Sequence, residues 1–278
     1  MTEKQIEIIK ANGEREMFVP MKLENSLLRS GAEPELVEEV IAHIREELND
    51  GMTTKEIYKH AFEVLARKKK SVASRYSLRN AVIGMGPTGF PFEQFVARIF
   101  TEKGYQTHTG VIMRGKCGEH EIDVIAHTND SLIMMEAKFH NEHGISSGIK
   151  TALYVKARFE DLKDQPIPGI EGRTLDQGWL VTNTKFTSSA IEYGACAGLS
   201  MVGWNYPATG NLQDLIEESG LHPITCLTSL TDTAKRSLLE NNTVLCRMVK
   251  DDDELLRAAG LTTAEITEVR EEAGELCI

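Results

Sequence analysis

Two carboxylates and an ammonium group stand in neighbouring strand-like runs, and their types suit phosphodiester hydrolysis. The runs are Glu121-Ile122-Asp123-Val124-Ile125 and Met135-Glu136-Ala137-Lys138-Phe139, with a polar turn between them. In a strand, side chains two apart share a face. Glu136 and Lys138 therefore point one way, while Ile133, Met135, Ala137 and Phe139 point the other. An antiparallel hairpin brings Asp123 alongside Glu136. Both are hard oxygen ligands of the kind Mg²⁺ or Mn²⁺ takes, and the Ala137 carbonyl adds a third. An ion held there would activate water and offset charge on a phosphate. Lys138 would orient the nucleophile or stabilise the transition-state charge. Taken singly these groups are commonplace, since an exposed Glu-x-Lys pair contributes under about 1 kcal/mol.

The elements around the hairpin read as a mixed α/β unit. A helix over 91–103 carries Glu93 and stops at Gly104, a C-cap signal. Strands follow at 106–113, 121–127 and 132–139, then a helix at 147–161, a strand at 178–182, a helix at 187–197 and a strand at 200–204. Ahead of this unit, a strand at 6–10 and another at 16–19 flank Asn12-Gly13, a hairpin turn signal. Pro20 and Pro34 open helices to about 30 and 49. Thr53 or Thr54 caps a third helix, and a last one spans 72–83. Gly84-Met85-Gly86-Pro87-Thr88-Gly89 is the clearest linker. The chain divides into 1–86, 87–208 and a helical 209–278: a multi-domain α/β protein with a mostly helical N-terminal part.

Bulk composition sets limits. The chain has 278 residues, 41% hydrophobic and 26% charged, ordinary values for a globular protein. It holds no apolar run of about 18 residues, so no membrane span is expected. Its five cysteines are widely spaced without a Cys-x-x-Cys pair, which argues against a zinc ribbon or disulfide framework and suits a reducing, cytoplasmic setting. The net charge of −11 looks wrong for a nucleic-acid enzyme, but its distribution matters. Residues 1–86 carry 14 basic and 14 acidic side chains, whereas residues 208–278 carry 6 and 14. The acid lies at the C-terminal end. That speaks against broad DNA coating but not against a local site.

Asp123, Glu136 and Lys138 resemble the core of the PD-(D/E)xK nucleases, in their Mrr-like restriction endonuclease branch. Gly89-Phe90-Pro91-Phe92-Glu93-Gln94-Phe95 resembles that branch's opening helix, and Trp179-Leu180-Val181-Thr182-Asn183 a later strand. The resemblance implies a Mg²⁺- or Mn²⁺-dependent DNA endonuclease, with a role in restriction or anti-phage defence. Glu93 would bind metal directly or through water, beside Asp123, Glu136 and Ala137. Many members of the branch carry Gln-x-Lys, whereas here the motif is Glu136-x-Lys138. A polar group from the helix after the hairpin often faces the site. The candidates are Lys156 and Arg158, which either contact phosphate or line a solvated helix face. Arg114 and Lys116, in a Gly-flanked loop, are candidates for the DNA backbone. His140 and His143 follow the catalytic strand, and His140 either faces substrate or is a surface or loop histidine.

A second resemblance covers almost all of residues 3–83. Ile9-Lys10-Ala11-Asn12-Gly13, Glu16, Met21-Lys22-Leu23, Asp50-Gly51-Met52-Thr53-Thr54-Lys55-Glu56-Ile57 and Ala73-Ser74-Arg75-Tyr76 resemble the ATP-cone domain. It implies ATP or dATP as an allosteric ligand. Lys10 and Lys22 would approach the phosphates, Glu16 the base or ribose, Thr54 phosphate or adenine, and Leu23 and Ile57 would pack near the base. Members often show Lys-Arg-Asp-Gly where this chain has Lys10-Ala11-Asn12-Gly13, which removes one basic group. The run Arg67-Lys68-Lys69-Lys70 is a DNA contact or a solvated helix end. Segment 209–278 loosely resembles helix-hairpin-helix modules, but its charge opposes DNA contact, and a docking or dimerisation element is the reading it favours. The expected protein is a nucleotide-regulated, homo-oligomeric endonuclease acting on DNA. The alternative is a non-catalytic, nucleotide-responsive DNA-binding protein on a degenerate nuclease fold. A reductase-type repressor is disfavoured for want of a zinc ribbon.

Overall fold

The computed structural model describes residues 6–277. The chain opens with β1 (Glu7–Ile9) and β2 (Arg15–Met17), paired antiparallel through a turn in which Gly13 takes φ +84°. That left-handed conformation costs glycine nothing. Helices α1 (Pro20–Arg29), α2 (Pro34–Glu47), α3 (Thr54–Lys68) and α4 (Lys70–Tyr76) complete the first body. Its core gathers Ile8, Leu27, Val40, Ile44, Ala61 and Leu65. The hairpin is tied to the start of α3: Ile9 donates its N–H to the Met52 carbonyl at 3.0 Å and bridges Thr53. Thr53 is the cap of α3, in a reciprocal capping box with Glu56. Thr54 is thus the first helical residue, with its hydroxyl not spent on capping.

The expected single helix over 72–83 is two. α4 ends at Tyr76 and α5 (Leu78–Ile83) follows. The break falls at Ser77, at φ −83° and ψ 1°, whose hydroxyl donates to the Ser74 carbonyl at 2.9 Å.

The central unit is α6 (Phe90–Glu102), β3 (Gln106–Arg114), β4 (Glu119–His127), β5 (Leu132–Lys138), β6 (Ser146–Ser147), α7 (Ile149–Leu162), β7 (Gln177–Thr182), β8 (Lys185–Phe186), α8 (Ser188–Ala197) and β9 (Ser200–Val202). The main sheet has the order β3-β4-β5-β7-β9. Its first two pairings are antiparallel and the next two parallel. Alternation along β5 works as the sequence suggests. Ile133, Met135 and Ala137 share a core with α6, while Leu132 and Met134 share one with Phe159 and Leu162 of α7. Glu136 therefore lies on the α7 side.

The last segment contains α9 (Leu212–Ser219), α10 (Asp232–Glu240), α11 (Asp253–Ala258) and α12 (Thr263–Leu276), with two 3-10 turns. Its apolar positions, among them Leu215, Ile224, Leu238 and Val269, join the same core as Phe92, Phe95 and Val82. This acidic segment, expected as a docking or dimerisation element, buries its apolar side against its own chain. Lys70 of the basic run meets Glu268 at 2.7 Å, Lys68 meets Glu39 at 2.8 Å, and Arg67 lies 3.9 Å from Glu63. Three of the run's four cations thus meet carboxylates, at exposed positions.

One expectation about cysteine is corrected. Cys246 and Cys277 are joined by a disulfide that ties the end of α12 to a 3-10 turn, while Cys117, Cys196 and Cys226 are free. Spacing alone hid the pair, which only folding of the last segment brings together. Among the described residues, no helix is long and apolar enough to cross a membrane.

Candidate functional site

The two catalytic-type strands pair antiparallel up to Val124 opposite Met135, and the next positions are Asp123 and Glu136. There the backbone ladder gives way to a side chain: the Ala137 N–H donates to Asp123 Oδ2 at 2.7 Å. Asp123 is thereby locked at the end of β5, beside Glu136. Glu93 comes from the first turn of α6, whose start packs close. A Cβ placed on Gly89 would meet Glu93 Oε1 at 3.3 Å and the Phe139 side chain at 3.8 Å. The hairpin and the glutamate helix thus converge, as their order in the sequence suggests.

The electrostatics are those of crowded carboxylates. Burial, then the charges of Asp123, Glu121 and Glu136, push the Glu93 carboxyl up to about 7. Burial raises Asp123 as well, against the Ala137 hydrogen bond and the charge of Arg158. Burial and then Asp123 raise Glu136. Negative charge is confined here without enough cation to offset it. Lys138 lies exposed at the rim.

Arg158 departs from expectation. Proposed from sequence as a phosphate contact or an exposed helix residue, it is 6% exposed. Its guanidinium donates to Glu136 Oε2 and to the Glu121 carbonyl, and its Nε has no partner. The signal was present in the sequence. Ala152, Val155, Phe159 and Leu162 form the buried stripe of α7, and position 158 lies on that stripe. Lys156, the other candidate, is paired to Glu160 at 2.8 Å along the helix.

Whether this site suits a divalent ion turns on its donors. Among the described residues, no three acidic, histidine or cysteine side chains already converge as a metal cluster. Mg²⁺ does not require one, since it is commonly held by one or two carboxylates with waters and substrate phosphate. Asp123 and Glu136, adjacent and mutually repelled, match that donor set, with the Ala137 carbonyl and Glu93 in reserve.

The Val-Thr-Asn motif has a positioning role. Thr182 and Asn183 are fully buried. The Thr182 hydroxyl donates to the Lys138 carbonyl at 2.7 Å. Asn183 accepts from the His140 N–H at 2.9 Å and donates to the His140 carbonyl at 2.7 Å. The chain on leaving the site is therefore fixed on both sides of Phe139. Asn183→Ala is expected to lower any cleavage by about tenfold while DNA affinity stays within about twofold, because one misplaced lysine costs rate more than binding. Turnover and gel-shift measurements on the same preparation would check this.

Arg114 and Lys116 are exposed at the β3–β4 turn. Asp161 of α7 holds that turn, accepting from the Cys117 N–H at 2.8 Å, the Gly118 N–H at 3.2 Å and His120 Nε2 at 2.8 Å. The His120 bond, with those two amides, brings the Asp161 carboxyl down to about 2. His140 Nε2 bonds Ser147 at 3.1 Å, a contact within the fold.

The nucleotide candidates separate into three groups, of which only the first lines the cavity. Lys10 and Thr54 line a cavity of about 950 Å³. Glu16 binds Lys10 at 3.1 Å and Lys22 at 3.0 Å, joining the two lysines through one carboxylate. Leu23 and Ile57 are buried in the core of the first body rather than in the cavity wall.

Comparison with known proteins now adds to the geometry. An ATP cone domain matches residues 6–81, a restriction endonuclease domain residues 87–203, and an AF1548-like C-terminal domain residues 222–277. An uncharacterized protein of Archaeoglobus fulgidus is 38% identical over 179 residues, 64% of this chain and 97% of its own. The crystal structure of AF1548, a protein of unknown function, is similar at 37% identity with a TM-score of 0.56, over 68% of this chain and 98% of that one. The MspJI restriction endonuclease in complex with a 27-mer oligonucleotide is 14% identical over 80% of this chain and 48% of that one, with a TM-score of 0.35, a likeness too distant to bear on function.

Proposed function

This chain belongs to the AF1548-like family, with an ATP-cone ahead of a restriction endonuclease domain, and we propose that it is a nucleotide-regulated, divalent-ion-dependent DNA endonuclease. The observation that supports this most is the locked pair Asp123 and Glu136 with Lys138 beside it, at the end of a strand whose exit is pinned by Thr182 and Asn183. Three carboxyls raised by burial and by neighbouring acidic groups at one strand end are in keeping with a hydrolytic site. That favours the enzyme over a purely DNA-binding relative.

Asp123 and Glu136 would hold Mg²⁺ or Mn²⁺, with Glu93 and the Ala137 carbonyl as further donors. An ion there supplies Lewis-acid charge to a phosphate and acidifies water. Lys138 places an ammonium at the exposed rim, where phosphate charge grows in the transition state. Arg158 offsets part of the Glu136 charge from the buried side and fixes that carboxylate's direction. Arg114 and Lys116 present cations at the turn held by Asp161, suited to the DNA backbone. The cone, with Lys10 and Thr54 at its cavity, would take ATP or dATP and set when the nuclease acts.

Cleavage of supercoiled plasmid with Mg²⁺ or Mn²⁺, with ATP, with dATP and with neither, tests this reading. Ion-dependent nicking or linearisation whose rate changes with nucleotide is the expected result. No cleavage of duplex, branched or single-stranded DNA in any arm, with ion-independent binding retained, would favour the non-catalytic reading.

A further inference from the structure

The cavity that Lys10 and Thr54 line is not a pocket of the cone alone. His143 from the loop after β5, Trp204 after β9 and Glu217 of α9 also form its wall, with Arg79 of α5 at the cone's edge. Cone, nuclease unit and last segment therefore all face one space. Its volume of about 950 Å³ is at the upper end of the range for small-ligand sites.

The chemistry of the wall selects a ligand class. Lys55, Arg75 and Arg79 make no ion pair among the described residues. Arg79 is half-buried, its Nε has no hydrogen-bond partner, and its guanidinium lies 5.9 Å from the centre of the Trp204 ring. The two carboxylates of the wall are already engaged. Glu56 caps α3, and Glu217 lies 3.9 Å from Arg29. Burial, then Arg79 and Lys55, hold the His143 imidazole below its ordinary value, so the field there is positive. Tyr58 and Tyr76 stack with centroids 5.1 Å apart, and Phe62 stacks on Tyr58. Unpaired guanidinium and ammonium groups beside flat aromatic surface suit a ligand with a planar ring and a polyanionic chain.

The same wall leads to the hydrolytic site. His143 lies five residues beyond Lys138, on a segment whose His140 backbone is clamped by Asn183. The neighbouring Gly144 packs directly on the cone hairpin, where a Cβ would meet the Ala11 carbonyl at 3.3 Å and the Asn12 nitrogen at 3.4 Å. At φ +82° the position also favours glycine.

We propose that the nucleotide site is completed by the nuclease side of the junction, with His143 and Trp204 forming the far wall of a cavity that takes a nucleoside triphosphate, and Arg79 at the cone's last helix beside Trp204. The inference rests on the reading of the cone as a nucleotide-binding domain and adds who shares the ligand. Its consequence is that nucleotide acts on the segment following Lys138 directly, without a large movement of the domains.

The test uses the full chain and calorimetric titration with ATP and with dATP. Lys10→Gln probes the cone side. Arg79→Gln and Arg79→Lys probe the cone's last helix at the junction and His143→Ala the nuclease side, with melting curves as the check on folding. Lys10→Gln and Arg79→Gln are each expected to weaken binding by about tenfold or more, with Arg79→Lys retaining most of it. His143→Ala, an exposed loop change that spares the fold, is expected to leave the nucleotide response of cleavage reduced by at least about half. In a Trp179→Phe background, ligand should change the fluorescence of Trp204. Binding that is weakened by Lys10→Gln, with Trp204 emission unmoved by ligand and the nucleotide response of His143→Ala unchanged, would overturn this inference and leave the cone reading intact. No binding of either nucleotide by the wild-type chain would overturn both.

Discussion

Asp123→Asn is expected to reduce Mg²⁺-dependent DNA cleavage on the order of 10³-fold while leaving the melting temperature nearly unchanged. The asparagine oxygen still accepts the Ala137 N–H that Asp123 Oδ2 accepts now at 2.7 Å, so the strand end keeps its geometry. What is lost is the charge that makes the group a hard ligand. Glu136→Ala is the less clean variant. It would leave Arg158, itself buried, without its carboxylate partner, and removing one member of a buried pair costs about 3–5 kcal/mol. Loss of activity there would mix chemistry with unfolding. Glu93→Gln should cost less, about tenfold, if that group acts through water. Initial rates on supercoiled plasmid, with circular dichroism melts of the same samples, separate these cases.

Glu272→Ala is expected to give the largest loss of stability, about 3 kcal/mol or more. Glu272 is 4% exposed and accepts from five donors. The Thr228 and Ser229 backbone N–H groups bind it at 2.7 and 2.8 Å, their hydroxyls at 2.8 and 2.6 Å, and the Ser74 hydroxyl of α4 at 2.9 Å. The carboxylate thus fastens α12 to a loop of its own segment and to the first body. Truncation strands buried donors, each costing about 1–3 kcal/mol. Burial pushes this carboxyl up, but the bonds from Ser229 and Thr228 outweigh it and hold it below its ordinary value of 4.5. A folded value below the unfolded one means the stabilisation is complete above about pH 4.5 and fades as pH falls through the folded value. Wild type should therefore lose stability on the acid side more steeply than Glu272→Gln. Urea melts of both at several pH values would show it, and parallel curves would contradict this role.

Much of the site was legible because its elements follow local rules. The β4–β5 hairpin announces itself by alternation, and β5 divides its residues between two cores as the period of two requires. The turn at Gly13 and the capping box at Thr53 and Glu56 are likewise local. Thr182 and Asn183 were recognisable as a motif, but their bonds to the Lys138 and His140 backbone cross more than forty residues of sequence. Arg158 was misjudged for a similar reason: a charged residue reads as exposed unless its place on the apolar stripe of α7 is weighed first. The acidic last segment read as a docking or dimerisation element, whereas its apolar side is part of its own chain's core. The contacts Lys70 to Glu268 and Ser74 to Glu272 each span 198 residues, a separation at which no pattern of spacing speaks. The helix break at Ser77 is a departure in ψ at one residue, which propensity alone does not decide.

The centre of the account is that Asp123, Glu136 and Lys138 form a working hydrolytic site. Conversion of supercoiled plasmid by the wild-type chain during a Mg²⁺ titration, run beside Asp123→Asn and with chelator as the blank, tests it most directly. The account predicts nicked or linear product that rises with ion concentration in wild type and is absent from the variant and the blank. Equal cleavage by wild type and Asp123→Asn, or product that persists with chelator, would contradict it.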